Sequence, residues 1–229
     1  MSDERLRTLE RAAASGGPDE RAALLRARVR AGTLSQERLE LAAYVGDADA
    51  RAALVAFEDD PDVDGGHPTA CIPCRAFDGR NYVILRGSEW HCLKHAHEHP
   101  DLALWVRGLS RWGSEVLVTA AVAAARQALP VWASQSGCEL CASSHSHIVC
   151  GHATRARRAV EAVEAWIACP CEQHWTERHE AYVDAGHRAW LPAPGDDRAH
   201  ESVQHAARIA GEPAVRQAIR TALVQWALS

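Results

Sequence analysis

Seven of the eight cysteines in this chain fall into four short clusters, and those clusters restrict the fold more than any other feature. They are Cys71-x-x-Cys74, Cys92-x-x-His95, Cys138-x-x-Cys141 and Cys169-x-Cys171-x-x-His174, with Cys150 standing apart. The chain starts Met1-Ser2-Asp3-Glu4-Arg5, without a basic segment or an apolar run, so a cytoplasmic location without a signal peptide is expected. A cytosolic chain keeps its thiols reduced. Cysteines at this spacing therefore point to bound metal rather than to disulfides.

The first constellation is Cys71, Cys74, Cys92 and His95, with seventeen residues between the second and third. A Cys-x-x-Cys turn offers two thiolates to one ion. A Cys-x-x-His in the first turn of a helix offers two more ligands, because positions i and i+3 share a face. Zinc takes four such ligands in a tetrahedron. Between the pairs, a turn at Asp78-Gly79 followed by Tyr82–Leu85 predicts a β-hairpin. Turn, hairpin and ligand-bearing helix make a treble-clef-like zinc site, with His91 as an alternate ligand. A redox Cys-x-x-Cys is disfavoured, since no thioredoxin-type βαβ context surrounds it.

The second constellation repeats this pattern with Cys138, Cys141, Cys171 and His174, and a helix is expected to fill most of the twenty-nine residues between the pairs. Cys150 and His152 are the alternative closing pair. Helix geometry favours Cys171 and His174, while loop-closure entropy slightly favours the nearer pair. Cys169, two residues before Cys171, is a further alternate. Two zinc ions are therefore expected.

The rest of the chain predicts helices. Residues 1–58 are rich in Ala, Leu and Arg, which are strong helix formers. Breakers at Ser15-Gly16-Gly17-Pro18, Gly32 and Gly46 divide them into four short helices, with Ser35 and Asp47 as N-caps. Leu41 and Val45 are expected on one face of the third. Residues 59–68 form an acidic linker without the EF-hand pattern. Val118, Val122, Ala125 and Leu129 mark a helix closed by Pro130, and Val160, Val163 and Ile167 mark another. A further helix follows Pro170. Glu212-Pro213 opens the last one, with Val215, Ile219, Ala222, Leu223 and Trp226 on its core face. Most of the eight tryptophans are expected to fill gaps in the core. The fold expected is mainly α, as helical hairpins or a bundle, with an α-solenoid-like stack as a variant. Its divisions are 1–58 (helical hairpins), 59–99 (linker and zinc-binding insertion) and 100–229 (helical domain with the second zinc site).

Several function classes lack their signatures. There is no phosphate loop, no nucleophile elbow and no His-Glu-x-x-His pair. The order His-x-Glu before Pro-Cys-x-x-Cys, which a nucleobase deaminase needs, is also missing. Eighteen consecutive apolar residues occur nowhere, so no membrane span is expected. A net charge of −5 disfavours nucleic acid as the partner, although Arg155-Ala156-Arg157-Arg158 is a small basic cluster. Both metal sets read as closed, whereas a catalytic zinc keeps an open position. Outside candidates for metal chemistry are His97, Glu98, His99, His145 and His147.

Three longer phrases add a resemblance. They are residues 37–44 with Gly46-Asp47 and 50–54, residues 104–113 with 122–126, and residues 157–172. Together they resemble an abundant, uncharacterised family of alanine-rich helical proteins from myxobacteria and related bacteria. The third phrase is also similar, more weakly, to a helical family of immunity proteins of toxin systems. The resemblance spans most of the chain except 59–99 and 134–152, which look like cysteine-bearing insertions. It implies a cytosolic bacterial protein and brings no catalytic residues. The reading that follows is a non-catalytic, zinc-stapled module that binds another protein, as a neutralising or adaptor component of a bacterial conflict or defence system. A metal-dependent hydrolase or nuclease and a nucleic-acid-binding zinc protein are the alternatives.

Overall fold

The computed structural model describes residues 3–58, 82–85, 89–92, 101–134, 152–169, 171–184 and 199–229. Among them are ten α-helices, so the chain is mainly helical as its composition predicts. The chain divides into two compact units.

The first unit comprises residues 1–101 with Leu223–Ser229. Its helices are α1 (Asp3–Ser15), α2 (Pro18–Arg30), α3 (Gln36–Val45) and α4 (Ala48–Glu58). The expected punctuation is present at each junction. Pro18 takes the first position of α2, where its missing N–H costs nothing. The Ser35 hydroxyl accepts the Arg38 N–H at 3.2 Å to cap α3. Gly46, at φ 105°, ends α3 in the left-handed region, where a side chain would be strained. Asp47 then accepts the Ala50 N–H at 2.7 Å and opens α4. Burial overrides these backbone bonds and raises the Asp47 carboxyl above its usual range.

Packing runs α1 on α2 and both α2 and α3 on α4. Leu39 and every residue from Leu41 to Val45 are fully buried, so α3 is covered on more than the single face expected. Arg21 of α2 meets Asp49 of α4 at 2.6 Å. This pair is half exposed and contributes little.

The second unit runs from Leu102 to Ala222. It holds α5 (Leu102–Gly108), a 3₁₀ turn (Leu109–Trp112), α6 (Ser114–Ser134), α7 (His152–Ala168), α8 (Glu172–Asp184), α9 (Ala199–Ala210) and most of α10 (Glu212–Leu228). Ala120, Ala121, Ala124 and Ala128 are buried on α6 and Ala199 and Ala206 on α9. Such small side chains let the two helices pack closely. Trp105 of α5 is fully buried, with the Arg216 guanidinium 4.9 Å from its ring. α7 lies against α6 and is tied to it by a two-pronged ion pair between Arg126 and Glu164. α8 packs on α7.

Three sequence expectations need correction. Pro130 does not close its helix: α6 continues to Ser134. A proline this near a helix C-terminus removes one backbone bond, and the buried Val118–Leu129 stripe holds the rest. β1 (Tyr82–Leu85) pairs antiparallel with β2 (Glu89–Cys92), so the partner strand follows Tyr82–Leu85 in the chain, whereas the expectation put the turn before it at Asp78-Gly79, which lies outside the described residues. Cys92 is therefore the last residue of a strand and not in the first turn of a helix. On α10, Val215, Ile219 and Leu223 are fully buried, but the fourth buried position is Ala227, while Ala222 and Trp226 are only half-buried.

Truncating Ile219, buried completely in the second unit, tests this core. Ile219→Ala is expected to cost about 2–5 kcal/mol in urea unfolding, with an unchanged m-value. Removing the α4 cap with Asp47→Ala is expected to cost about 0.5–2 kcal/mol.

Candidate metal centre

The Cys169–His174 segment is a helix–helix corner with almost no connecting chain. The Cys169 N–H makes the last helical bond of α7, to Ala165 at 3.0 Å. The Cys171 carbonyl accepts the first bond of α8, from Trp175 at 3.0 Å, so Cys171 is the N-cap. Between them the Cys171 N–H donates to the Cys169 carbonyl at 2.8 Å and closes the turn. Sequence chemistry explains the corner. The residue before a proline is pushed out of the helical region, so α7 stops at Ala168, just before Cys169.

Capping brings the ligands together. Cys171 and His174 are the N-cap and third residue of α8, and their Sγ and Nδ1 atoms lie 3.4 Å apart. His174 Nδ1 also donates to the Cys169 carbonyl at 3.0 Å. The ligand atoms of Cys169, Cys171 and His174 all lie within 4.8 Å of one another, a group that can hold a metal ion. Both cysteines are exposed and His174 is half-buried.

The two thiols are electrostatically unequal. The backbone N–H of His174 is the main cause that lowers the Cys171 thiol, and the Cys169 thiol donating to it is the next. That donation, with the neighbouring Cys171 charge, raises Cys169. The helix ends act in the same sense. Cys171 sits at the positive start of α8 and Cys169 at the negative end of α7. The Cys169 carbonyl raises the His174 imidazole, helped by Cys171 and Glu177. Within the group, then, Cys171 gives up its proton more readily than Cys169, and His174 keeps its proton to higher pH than a free imidazole. A metal ion must displace protons to bind.

Behind the corner, α7 and α8 are clasped by Arg178. Its guanidinium lies 5.1 Å from the Trp166 ring and 5.9 Å from the Trp175 ring. Arg178 is buried, and that burial lowers its pKa. Trp175 departs from the expectation that the tryptophans fill the core. It is 48% exposed and stacks on His179 at 5.4 Å.

The structure therefore brings Cys171 and His174 together with Cys169, which sequence spacing ranked only as an alternate. Cys71, Cys74, His95, Cys138, Cys141 and Cys150 lie outside the described residues, as do His97, His99, His145 and His147. His91 and Cys92 are placed as strand residues opposite Val83 and Tyr82. His152 is the first residue of α7, which ends one residue before Cys169. At 1.5 Å per residue those helix ends are roughly 25 Å apart, so His152 cannot share an ion with the corner. The overlooked signal for Cys169 is the single proline between it and Cys171.

No protein-family model, no curated protein and no solved structure matches this chain.

Zinc titrated into the metal-free chain is expected to release protons from the cysteines and His174, more of them per ion from Cys169 than from Cys171. Calorimetry in buffers of different ionisation enthalpy reads this directly, and affinity should fall as pH falls. A binding heat independent of buffer would contradict ligation by these thiols and the imidazole.

Proposed function

We propose that this chain is a non-catalytic, zinc-stapled helical module that binds another protein in the cytoplasm. Its suggested setting is a bacterial conflict or defence system, as a neutralising (immunity) or adaptor component. The observation that carries the metal part is the convergence of Cys169, Cys171 and His174 on a corner between two helices. Thiolate and imidazole ligands suit zinc, and an ion there would pin the end of α7 to the start of α8. Cys138 or Cys141 is the proposed fourth ligand, and Cys71, Cys74, Cys92 and His95 are the proposed set for a second ion.

The binding part rests on the exposed side of α8. Trp175 stands out among the acidic side chains Glu172, Glu177 and Glu180, all exposed. Solvent-facing tryptophan is a common anchor at protein interfaces. The net charge of −5 and the family resemblance of 157–172 favour a protein partner over nucleic acid. No helix among the described residues is long and apolar enough to cross a membrane.

One observation favours a second reading. Cys169 and Cys171 are both exposed, so water or a substrate could reach an ion held there, as a catalytic zinc requires. Cobalt substitution separates the two. The visible spectrum of a closed site ignores added cyanide or azide, and that of an open site shifts.

Native mass spectrometry of the full chain is expected to show two zinc ions, with one lost in Cys171→Ser. Zero bound zinc in the unaltered chain overturns the staple. Co-expressed with the products of adjacent genes, the chain is expected to co-purify with one of them at fixed stoichiometry. Binding to none overturns the interaction reading.

A further inference from the structure

Cys169 and Cys171 have a second property that the ligand role does not use. Both are free and solvent-exposed, so an oxidant reaches them without unfolding the chain. The hydrogen bond from the Cys171 N–H to the Cys169 carbonyl folds the chain back across a single residue. The two sulfur atoms lie within 4.8 Å of each other. A disulfide needs Cα atoms only about 4.4–6.8 Å apart. The corner therefore holds the pair in an arrangement that closes with a small rotation of the side chains. His174 remains beside them on the first turn of α8, held by the Cys169 carbonyl at 3.0 Å.

We propose that Cys169 and Cys171 form a peroxide-sensitive dithiol, whose closure to an intrachain disulfide removes two of the three metal ligands and expels the ion. The release of zinc rests on the metal reading above; the disulfide does not. The chemistry balances with a peroxide as oxidant. The Cys171 sulfur attacks a peroxide oxygen and the O–O bond breaks. This gives a sulfenic acid and one hydroxide, which leaves as water. The Cys169 sulfur then attacks the sulfenic sulfur, the S–O bond breaks, and the second oxygen leaves as water. Two electrons pass from sulfur to the peroxide, and a dithiol reductant reverses the change.

Trypsin makes the test clean, because cleavage after Arg158 and Arg178 gives peptide 159–178, whose only cysteines are Cys169 and Cys171. The full chain, loaded with zinc, is treated with hydrogen peroxide, blocked with a thiol alkylator and digested. Released zinc is measured in parallel with a chromogenic chelator. The expected result is a peptide that is two hydrogens lighter and unalkylated. One zinc per chain should be released with it, and both changes should be reversed by dithiothreitol. If the chain holds no zinc beforehand but the lighter peptide forms, the metal reading fails and the dithiol stands. If zinc is held but the peptide stays fully alkylated, the dithiol proposal is overturned and the metal reading stands. Conversion of either cysteine to sulfinic acid, or its linkage to another peptide, also overturns the proposal. No variant is needed, so a folding defect cannot mask the outcome.

Discussion

Every helix end leaves backbone donors or acceptors that must find partners, and this chain, with many short helices, faces that requirement repeatedly. It meets it with specific side chains. Ser35 and Asp47 cap α3 and α4, and Gly46 supplies the left-handed residue between them. At the far end of the chain the last carbonyls of α10 are taken up by arginines. Arg28 donates to Leu228 at 2.8 Å, and Arg38 donates to Trp226 while lying 5.0 Å over its ring. Cations at a helix C-terminus also complement the dipole. The candidate metal centre obeys the same rule. Cys171 is an N-cap whose polar atom is sulfur, and the Cys169 carbonyl at the end of α7 is satisfied by Cys171 and His174. The ligands converge because capping a tight corner brings them together.

The core explains why such end devices matter. Much of it is alanine: Ala42, Ala43, Ala50 and Ala53 in the first unit, and Ala120, Ala121, Ala124, Ala128 and Ala206 in the second. Alanine is the best helix former and permits close packing, but each residue buries little apolar area. Among the described residues the largest fully buried side chains are Trp105, Tyr44, Ile219 and a handful of leucines. Cross-helix ties such as Arg126 to Glu164, Arg107 to His200 at 2.8 Å and Arg178 over Trp166 supply orientation that alanine contacts lack. A metal ion at the corner would add to these ties where α7 and α8 are joined by the least chain.

Local signals made the helices legible. Glycine and proline breakers with hydroxyl or carboxylate caps mark α1 to α4, and the 3.6-residue periodicity marks α6, α7 and α10. What misled is equally physical. Pro130 counts as a terminator only where a helix lacks other support, and tertiary burial kept α6 going. Asp78-Gly79 and Arg86-Gly87 flank Tyr82–Leu85 in the sequence, and strand patterning cannot say on which side its partner strand lies. The Cys-x-x-His spacing predicts Cys92 in the first turn of a helix, although it ends a strand. At the metal corner, Cys171 and His174 followed from the i, i+3 rule. Cys169 did not, because its role depends on a turn geometry that spacing alone does not encode.

That turn geometry also decides what kind of cysteine pair this is. A Cys-x-x-Cys at a helix start places both sulfurs within reach of the same positive end. Here the two are divided between helices of opposite polarity at the junction, one at an end that disfavours a thiolate and one at a start that favours it. The corner thus polarises its own thiols before any ion arrives. Of the two hydrogen-bonded thiols, Cys169 is shifted toward keeping its proton and Cys171 toward losing it. A divalent cation removes that asymmetry by ionising both sulfurs, and oxidation removes it by joining them. Both chemistries draw on the same short link between α7 and α8, so whichever prevails is set by what occupies the corner and not by a rearrangement of the fold.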